Sequence, residues 1–178
     1  VVFAFFDAEE PPHFHEPEMG SNHFYARQRQ GRIHFALVMD LVGHDVPIAG
    51  LEDLLVATGL ESDPELPALV QAAATEPDLR FIATLNRYVG DMSDHGAFRR
   101  DRRPYLFLSC GHWPHYHEPT DTPEKLNYAK MARIQRVVAR LLRGAGLIEN
   151  ACQLHTQRSG IEIGSGHVVR RRRSPRAA

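Results

Sequence analysis

Residues 33–42, IHFALVMDLV, give the clearest indication of the fold. This nearly continuous apolar run is typical of a strand that is buried on both faces, as the strands of a parallel sheet are. Asp40 interrupts the run near its carboxyl end. Because burial of an unpaired carboxylate is costly, we expect Asp40 to have a cation or a hydrogen-bond donor as its partner. A metal-ligand role and a hydrogen-bonded position in the core are both compatible with this pattern.

Strand-like and helix-like segments alternate along the chain. The predicted strands lie at residues 1–6, 33–42, 80–85 and 105–109. The predicted helices lie at residues 18–30, 64–76 and 127–142. Asn127 is expected to cap the last helix, and residues 47–63 give no clear prediction. This alternation favours an α/β fold with a mainly parallel sheet and helices on both faces, and sites in such folds gather at the carboxyl ends of the strands.

The composition indicates one soluble globular domain. The 178 residues are 43% hydrophobic and 24% charged, which excludes a disordered, collagenous or coiled-coil chain. No apolar run is long enough to span a membrane. Because the chain opens inside an apolar run that predicts a buried strand, we expect residues before Val1 to have been lost and the fold to be incomplete at its N-terminus.

Charge is distributed unevenly along the chain. The arginines at positions 170–173 and 176 leave residues 1–169 with 16 basic and 22 acidic side chains, a net charge of −6. An acidic body argues against nucleic-acid binding by the core domain. The basic end is predicted to be a disordered tail, and an anionic partner is the alternative reason for its charge.

Two acidic segments are candidates for chemistry. Glu9 and Glu10 directly follow the first predicted strand, so one carboxylate can bind a metal while the other handles a proton. A solvated turn is the competing interpretation. Asp94, in Ser93-Asp94-His95, can orient the neighbouring imidazole or accept a hydrogen bond beside a site, and a capped turn is the alternative.

Residues 110–122, CGHWPHYHEPTDT, form the densest cluster of reactive side chains. His112, His115 and His117 lie within six residues, among prolines and aromatic residues that favour a rigid loop over a helix. We therefore expect a single metal ligand from this loop. Cys110 follows an apolar stretch and is interpreted as a small buried hydrophobic residue rather than a nucleophile.

Five motifs in this order resemble those of the co-catalytic zinc exopeptidase family, which includes bacterial leucyl-type aminopeptidases, glutaminyl cyclases and glutamate carboxypeptidase relatives. They are FFDAEE (residues 5–10), MGS (19–21), MDLVG (39–43), SDHGAF (93–98) and YHEPTDTPEKL (116–126). The resemblance implies that residues 1–146 are the C-terminal part of a zinc exopeptidase-like catalytic domain. Residues 147–178 match no part of the family.

The resemblance also implies roles for individual residues. Glu9 is at the position of the general base, and Glu10 at that of a zinc ligand. Asp40 is at the position that binds the second zinc, and His117 at the position that shares its metal with Glu10. Tyr116 resembles the residue that stabilises the oxyanion. Asp94 resembles an acid beside the site and is given a supporting role.

Two expected ligands are missing from this sequence. Members of the family supply a further His and a metal-bridging Asp from a His-x-Asp segment upstream of the first strand, and the sequence contains no such segment. The main hypothesis is a zinc aminopeptidase that removes N-terminal residues from peptides, here truncated, whose complete site holds two zinc ions and of which this chain supplies three of five expected ligands. The alternatives are a non-catalytic peptidase-like binding module and a glutaminyl cyclase-type acyltransferase.

Overall fold

The computed structural model describes residues 1–28 and 35–147. Residues 1–148 form one compact unit. The helices of the described ranges are α1 (Gly20–Gln28), α2 (Leu66–Ala73), α3 (His95–Arg100) and α4 (Tyr128–Gly144). The strands are β1 (Ala36–Met39), β2 (Leu54–Thr58), β3 (Arg80–Thr84) and β4 (Tyr105–Ser109). Short 3-10 turns lie at Leu60–Ser62, Asn86–Tyr88 and Pro123–Lys125.

These strands form one mixed sheet in the order β1-β4-β2-β3. The β1–β4 and β2–β3 pairs are parallel, and β2 runs antiparallel to β4, with Val56 opposite Ser109. The carboxyl ends of β1 and β4 therefore lie at one edge of the sheet, which we call the β1/β4 edge. The carboxyl ends of β2 and β3 lie at the other, the β2/β3 edge.

Helices cover both faces of this sheet, as the sequence predicts. Alternate side chains of β4 point to opposite faces, because the side chains of a strand alternate. Leu106 and Leu108 belong to the core formed with α2 and α4. Tyr105 and Phe107 belong to a second core formed with α1 and α3. The α/β fold is confirmed, with two of the three strand pairs parallel.

Helix α4 is close to its predicted form. The Asn127 side chain accepts a hydrogen bond from Lys130 N at 2.9 Å, which confirms the N-cap. An apolar stripe of this helix is buried at Ile134, Val137 and Leu141. Lys130 is also buried. Its Nζ is compensated for the loss of water by donating to two backbone carbonyl oxygens, those of His44 at 2.9 Å and Glu52 at 2.8 Å.

Three other predicted elements have different bounds in the structure. The helix predicted at 18–30 is described as Gly20–Gln28, with residues 29–30 outside the described ranges, and the helix predicted at 64–76 is described as Leu66–Ala73. The strand predicted at 33–42 is described as Ala36–Met39, and residues 33–34 lie outside the described ranges. Strand β2 lies within residues 47–63, for which the sequence gave no clear prediction. A short buried strand shows no periodic alternation of apolar and polar residues.

The predicted buried strand at residues 1–6 is wrong. Residues 1–9 have no regular secondary structure. Phe3 and Phe5 are 80% and 97% exposed. An apolar run becomes a strand only where another strand pairs with it, and none of the described strands does so here. Phe6 alone is fixed to a helix, by its ring contact with Phe24 of α1 at 5.4 Å.

Two further expectations concern the C-terminal tail and membrane-spanning helices. The tail predicted for residues 147–178 lies outside the described ranges from residue 148 onward. Among the helices that the structure describes, none combines the length and the apolar character that a membrane span requires.

Candidate active site

The β1/β4 edge positions the first predicted site residue. Asp40 directly follows β1, and its backbone N–H donates to the Leu108 carbonyl oxygen of β4 at 3.2 Å. Leu41 has a φ of 53°, so the chain turns sharply after Asp40. The Leu41 carbonyl then accepts a hydrogen bond from Cys110 N at 3.0 Å. This pairing fixes Asp40 at the point where the loop after β4 begins.

The segment with Glu9 and Glu10 is fixed against the start of α1. Gly20 N donates to the Asp7 carbonyl oxygen at 2.9 Å. A Cβ atom at Gly20 would lie only 2.7–2.8 Å from Asp7 atoms, so glycine permits this close approach. The MGS motif at residues 19–21 therefore has a structural role in holding the acidic pair in place.

Two predicted ligands of the same metal lie in direct contact. Glu10 Oε1 is 2.7 Å from His117 Nε2, although 107 residues separate them in sequence. Both side chains are 54% exposed and therefore accessible from solvent. His117 has a φ of 59°, which turns the loop at this point. This contact joins the N-terminal segment to the loop after β4.

Glu9 has a different environment from its neighbour. Its Oε1 atom is buried and has no hydrogen-bond partner among the described residues. The pKa of Glu9 is raised to about 7, mainly by burial and then by the charges of Asp40, Glu10 and Asp94. The Ser93 side chain opposes this shift by stabilising the charged form. A carboxyl group with a pKa near neutrality is suited to accept and return a proton.

Tyr116 lies beside the same acidic group. Burial raises the pKa of its phenol, followed by the negative charges of Glu10, Glu9 and Asp40. The hydroxyl therefore keeps its proton at neutral pH and can act as a hydrogen-bond donor. The ring stacks on His117, with the ring centroids 3.8 Å apart.

Asp94 approaches this group without orienting its neighbour His95. Its Oδ1 atom is buried and unpaired within the described residues. Burial raises the pKa of Asp94, Ser21 opposes the shift, and Asp40 adds to it. The His95 ring has other partners, since its Nε2 lies 2.9 Å from the Gly90 carbonyl oxygen.

The other loop histidines contact side chains other than the carboxylates. His115 Nδ1 lies 2.8 Å from the Thr120 hydroxyl. His112 stacks on Tyr116, with the ring centroids 4.2 Å apart. Cys110 is buried in the core with α2 and α4, as expected from its apolar neighbours. Of the three histidines, His117 alone contacts a predicted ligand in the described parts of the chain.

A cavity of about 240 Å³ adjoins Asp40 and Tyr116. Its apolar wall includes Val56 from β2, Met92 and Phe107. Sequence reasoning missed this wall because β2 was not predicted. The placement of β2 next to β4 brings these side chains to the acidic group.

The donor atoms fit part of a zinc site. A carboxylate and an imidazole in contact, as in Glu10 and His117, are suitable ligands for one zinc ion. Within residues 1–28 and 35–147, no three His, Cys, Asp or Glu side chains come close enough to enclose a metal ion. The charge of Asp40 acts on Glu9, and the Oε1 atom of Glu9 has no hydrogen-bond partner among the described residues.

Comparison with known proteins identifies the family. The model of peptidase family M28 matches residues 1–142. No curated protein matches the chain. The crystal structure of the Legionella pneumophila LapA aminopeptidase is similar with a TM-score of 0.59 and 14% identity, covering 74% of this chain and 36% of that one. A second LapA structure has a TM-score of 0.57 and 15% identity, covering 71% and 36%.

The chain thus spans about a third of the length of these aminopeptidases. At such low identity the structural likeness supports the fold, whereas the family model covers most of the sequence. The protein belongs to peptidase family M28.

Proposed function

We propose that this peptidase-family chain carries residues of a zinc-dependent aminopeptidase site that removes N-terminal residues from peptides. The observation that carries the proposal is the contact between Glu10 and His117. It lies beside the buried Glu9 carboxyl group, whose pKa of about 7 suits proton transfer. The roles of all these residues follow from their motif positions and chemistry.

Glu10 and His117 would hold one zinc ion, and Asp40 would contribute to the second. Zinc supplies a water molecule of lowered pKa and polarises the carbonyl group of the peptide. Glu9 accepts the proton of the attacking water and returns it to the leaving amine. Tyr116 donates a hydrogen bond to the developing oxyanion. Asp94 supports the site through its negative charge, which favours the protonated form of Glu9.

The ligand set supports weak zinc binding by these 178 residues. One metal position has two protein ligands, and the other has one. Catalytic zinc ordinarily has three protein ligands and an open position for water. We therefore expect peptide cleavage to need the additional His and bridging Asp that the resemblance implies, and we expect no steady turnover by the 178-residue chain alone.

The experiment compares the 178-residue chain with the full-length product of its gene. Leucine 4-nitroanilide reports cleavage, and its N-acetylated form tests the requirement for a free N-terminus. We expect cleavage of the first substrate only, loss of activity with a chelator, and recovery with zinc. Peptide binding without cleavage would instead favour a non-catalytic binding module.

The Glu9→Gln variant tests the general base. We expect turnover of the active product to fall by a factor of roughly 10²–10⁴, with zinc content unchanged, because the amide cannot accept the proton. Glu18→Gln removes an exposed carboxylate from the same segment and is the matched control. Equal activity of Glu9→Gln and the parent would remove Glu9 from the mechanism.

A further inference from the structure

A second cavity, of about 500 Å³, lies at the β2/β3 edge. Its wall is formed by the turn after β2, the turn after β3 and the C-terminal end of α3. The β2/β3 edge and the β1/β4 edge lie at the two ends of strand β4. The length of this strand is on the order of 15 Å, from the rise per residue of a strand. Four arginines line it, namely Arg87, Arg99, Arg102 and Arg103.

Carboxylates neutralise only part of this positive charge. Asp91 forms a double hydrogen bond with Arg99, including a contact between Nη2 and Oδ2 at 2.8 Å. Asp101 lies 3.6 Å from Arg103. Among the described residues, no carboxylate lies within ion-pair distance of Arg87 or Arg102. The cavity therefore presents two guanidinium groups without acidic partners.

The remaining polar groups of the wall are held in fixed positions. Glu61, the single acidic residue of the lining, accepts a hydrogen bond from Asn86 N at 2.7 Å. The Ser62 hydroxyl donates a hydrogen bond to the carbonyl oxygen of Tyr105 and accepts one from its backbone N–H, at 3.0 Å each. Arg87 stacks over the Tyr88 ring at 4.8 Å and donates to its hydroxyl at 2.9 Å.

Tyr105 supplies a further hydroxyl in this wall. The residue is only 2% exposed, and its hydroxyl is not among the buried polar atoms that lack a hydrogen-bond partner within the described residues. Its phenol feels the charges of Glu61 and Arg99, which also line the cavity. A phenol hydroxyl in the wall of a cavity can donate a hydrogen bond to an anionic ligand bound there.

We propose that this cavity binds a small molecule through a phosphate or carboxylate group, with Arg87 and Arg102 as the main ligands and the Tyr105 hydroxyl as a further donor. Guanidinium groups match the geometry of both kinds of oxyanion and bind them through paired hydrogen bonds. The volume is in the range of small-molecule sites, roughly 300–1,000 Å³. The site is separate from the peptidase residues and does not depend on their metal.

The test is calorimetric titration of the 178-residue chain with inorganic phosphate and, separately, with succinate, at constant chloride concentration. Arg87→Gln and Arg102→Gln should each weaken binding by about tenfold, because each removes a charge-assisted interaction. Arg143→Gln, at an exposed position of α4, is the matched control and should leave binding unchanged. Binding of one anion only would assign the ligand to that class.

A second measurement uses the unaltered chain and remains informative if a variant fails to fold. Phenylglyoxal modifies accessible arginines, and peptide mass spectrometry locates the products. The anion that binds should protect Arg87 and Arg102 and leave Arg143 reactive. Absence of saturable binding by either anion, equal weakening by Arg143→Gln, or binding without protection of Arg87 and Arg102 would overturn the proposal.

Discussion

Glu9 and Glu10 are neighbours in sequence and differ in chemistry because they face different parts of the fold. Glu10 is exposed and contacts His117. Glu9 is partly buried among acids that come from other elements, which raises its pKa to about 7. The sequence alone indicates that one carboxylate could bind a metal and the other could transfer a proton. The assignment of each role comes from the motif resemblance, because burial depends on distant segments.

His95 provides a pH-dependent test at the residue scale. Burial lowers its pKa, and Arg99 lowers it further, while the Gly90 carbonyl and Asp91 oppose the shift. The unfolded chain binds a proton at His95 near pH 6.5, whereas the folded chain resists it. The free energy of unfolding therefore falls as the pH drops below about 6.5, because the unfolded chain takes up a proton at His95 more readily than the folded chain does.

Urea unfolding of the parent and His95→Gln at pH 7.5 and pH 5.5 measures this contribution. Gln does not titrate, so the parent should lose more stability between these pH values than the variant does. His44 and Glu9 titrate in both proteins, and their effects cancel in the comparison. The same pH dependence in both proteins would show that His95 is protonated equally in the folded and unfolded chains.

At the scale of elements, local signals predicted helices and buried strands unequally. Helix α4 was predicted well because a cap, an apolar stripe and sufficient length all occur in adjacent residues. Strand β2 was missed because its burial comes from β3 and β4, which lie far away in sequence. The run at residues 1–6 has strand-like composition, yet composition does not provide the partner strand that pairing requires.

The cap of α4 gives a prediction at this scale. Asn127→Ala should lower the free energy of unfolding by about 1 kcal/mol relative to Asn127→Ser, because serine can still accept the hydrogen bond from Lys130 N. Both variants lose the Asn127 amide contact with Asp45, so the difference reports the cap alone. Urea unfolding measures it, and equal stability of the two variants would show that the cap contributes nothing.

At the scale of the whole molecule, the structure has two cavities whose linings share no residue, although the loop after β3 contributes to both. The candidate active site was predictable in part because its residues belong to motifs that occur in the family order. The arginine-lined cavity was not, since Arg87 and Arg102 belong to no such motif and approach each other only through the fold. Its wall depends on the antiparallel pairing of β2 with β4, which the sequence did not indicate.

The central claim is that Glu10 and His117 bind the same zinc ion, and zinc titration calorimetry of the 178-residue chain tests it most directly. The account predicts weak, saturable binding that falls tenfold or more in His117→Ala, an order of magnitude expected for disruption of a metal site. His115→Ala, which removes an imidazole bonded to Thr120 in the same loop, should bind zinc like the parent. A larger loss in His115→Ala than in His117→Ala, or no loss in either, would contradict the account.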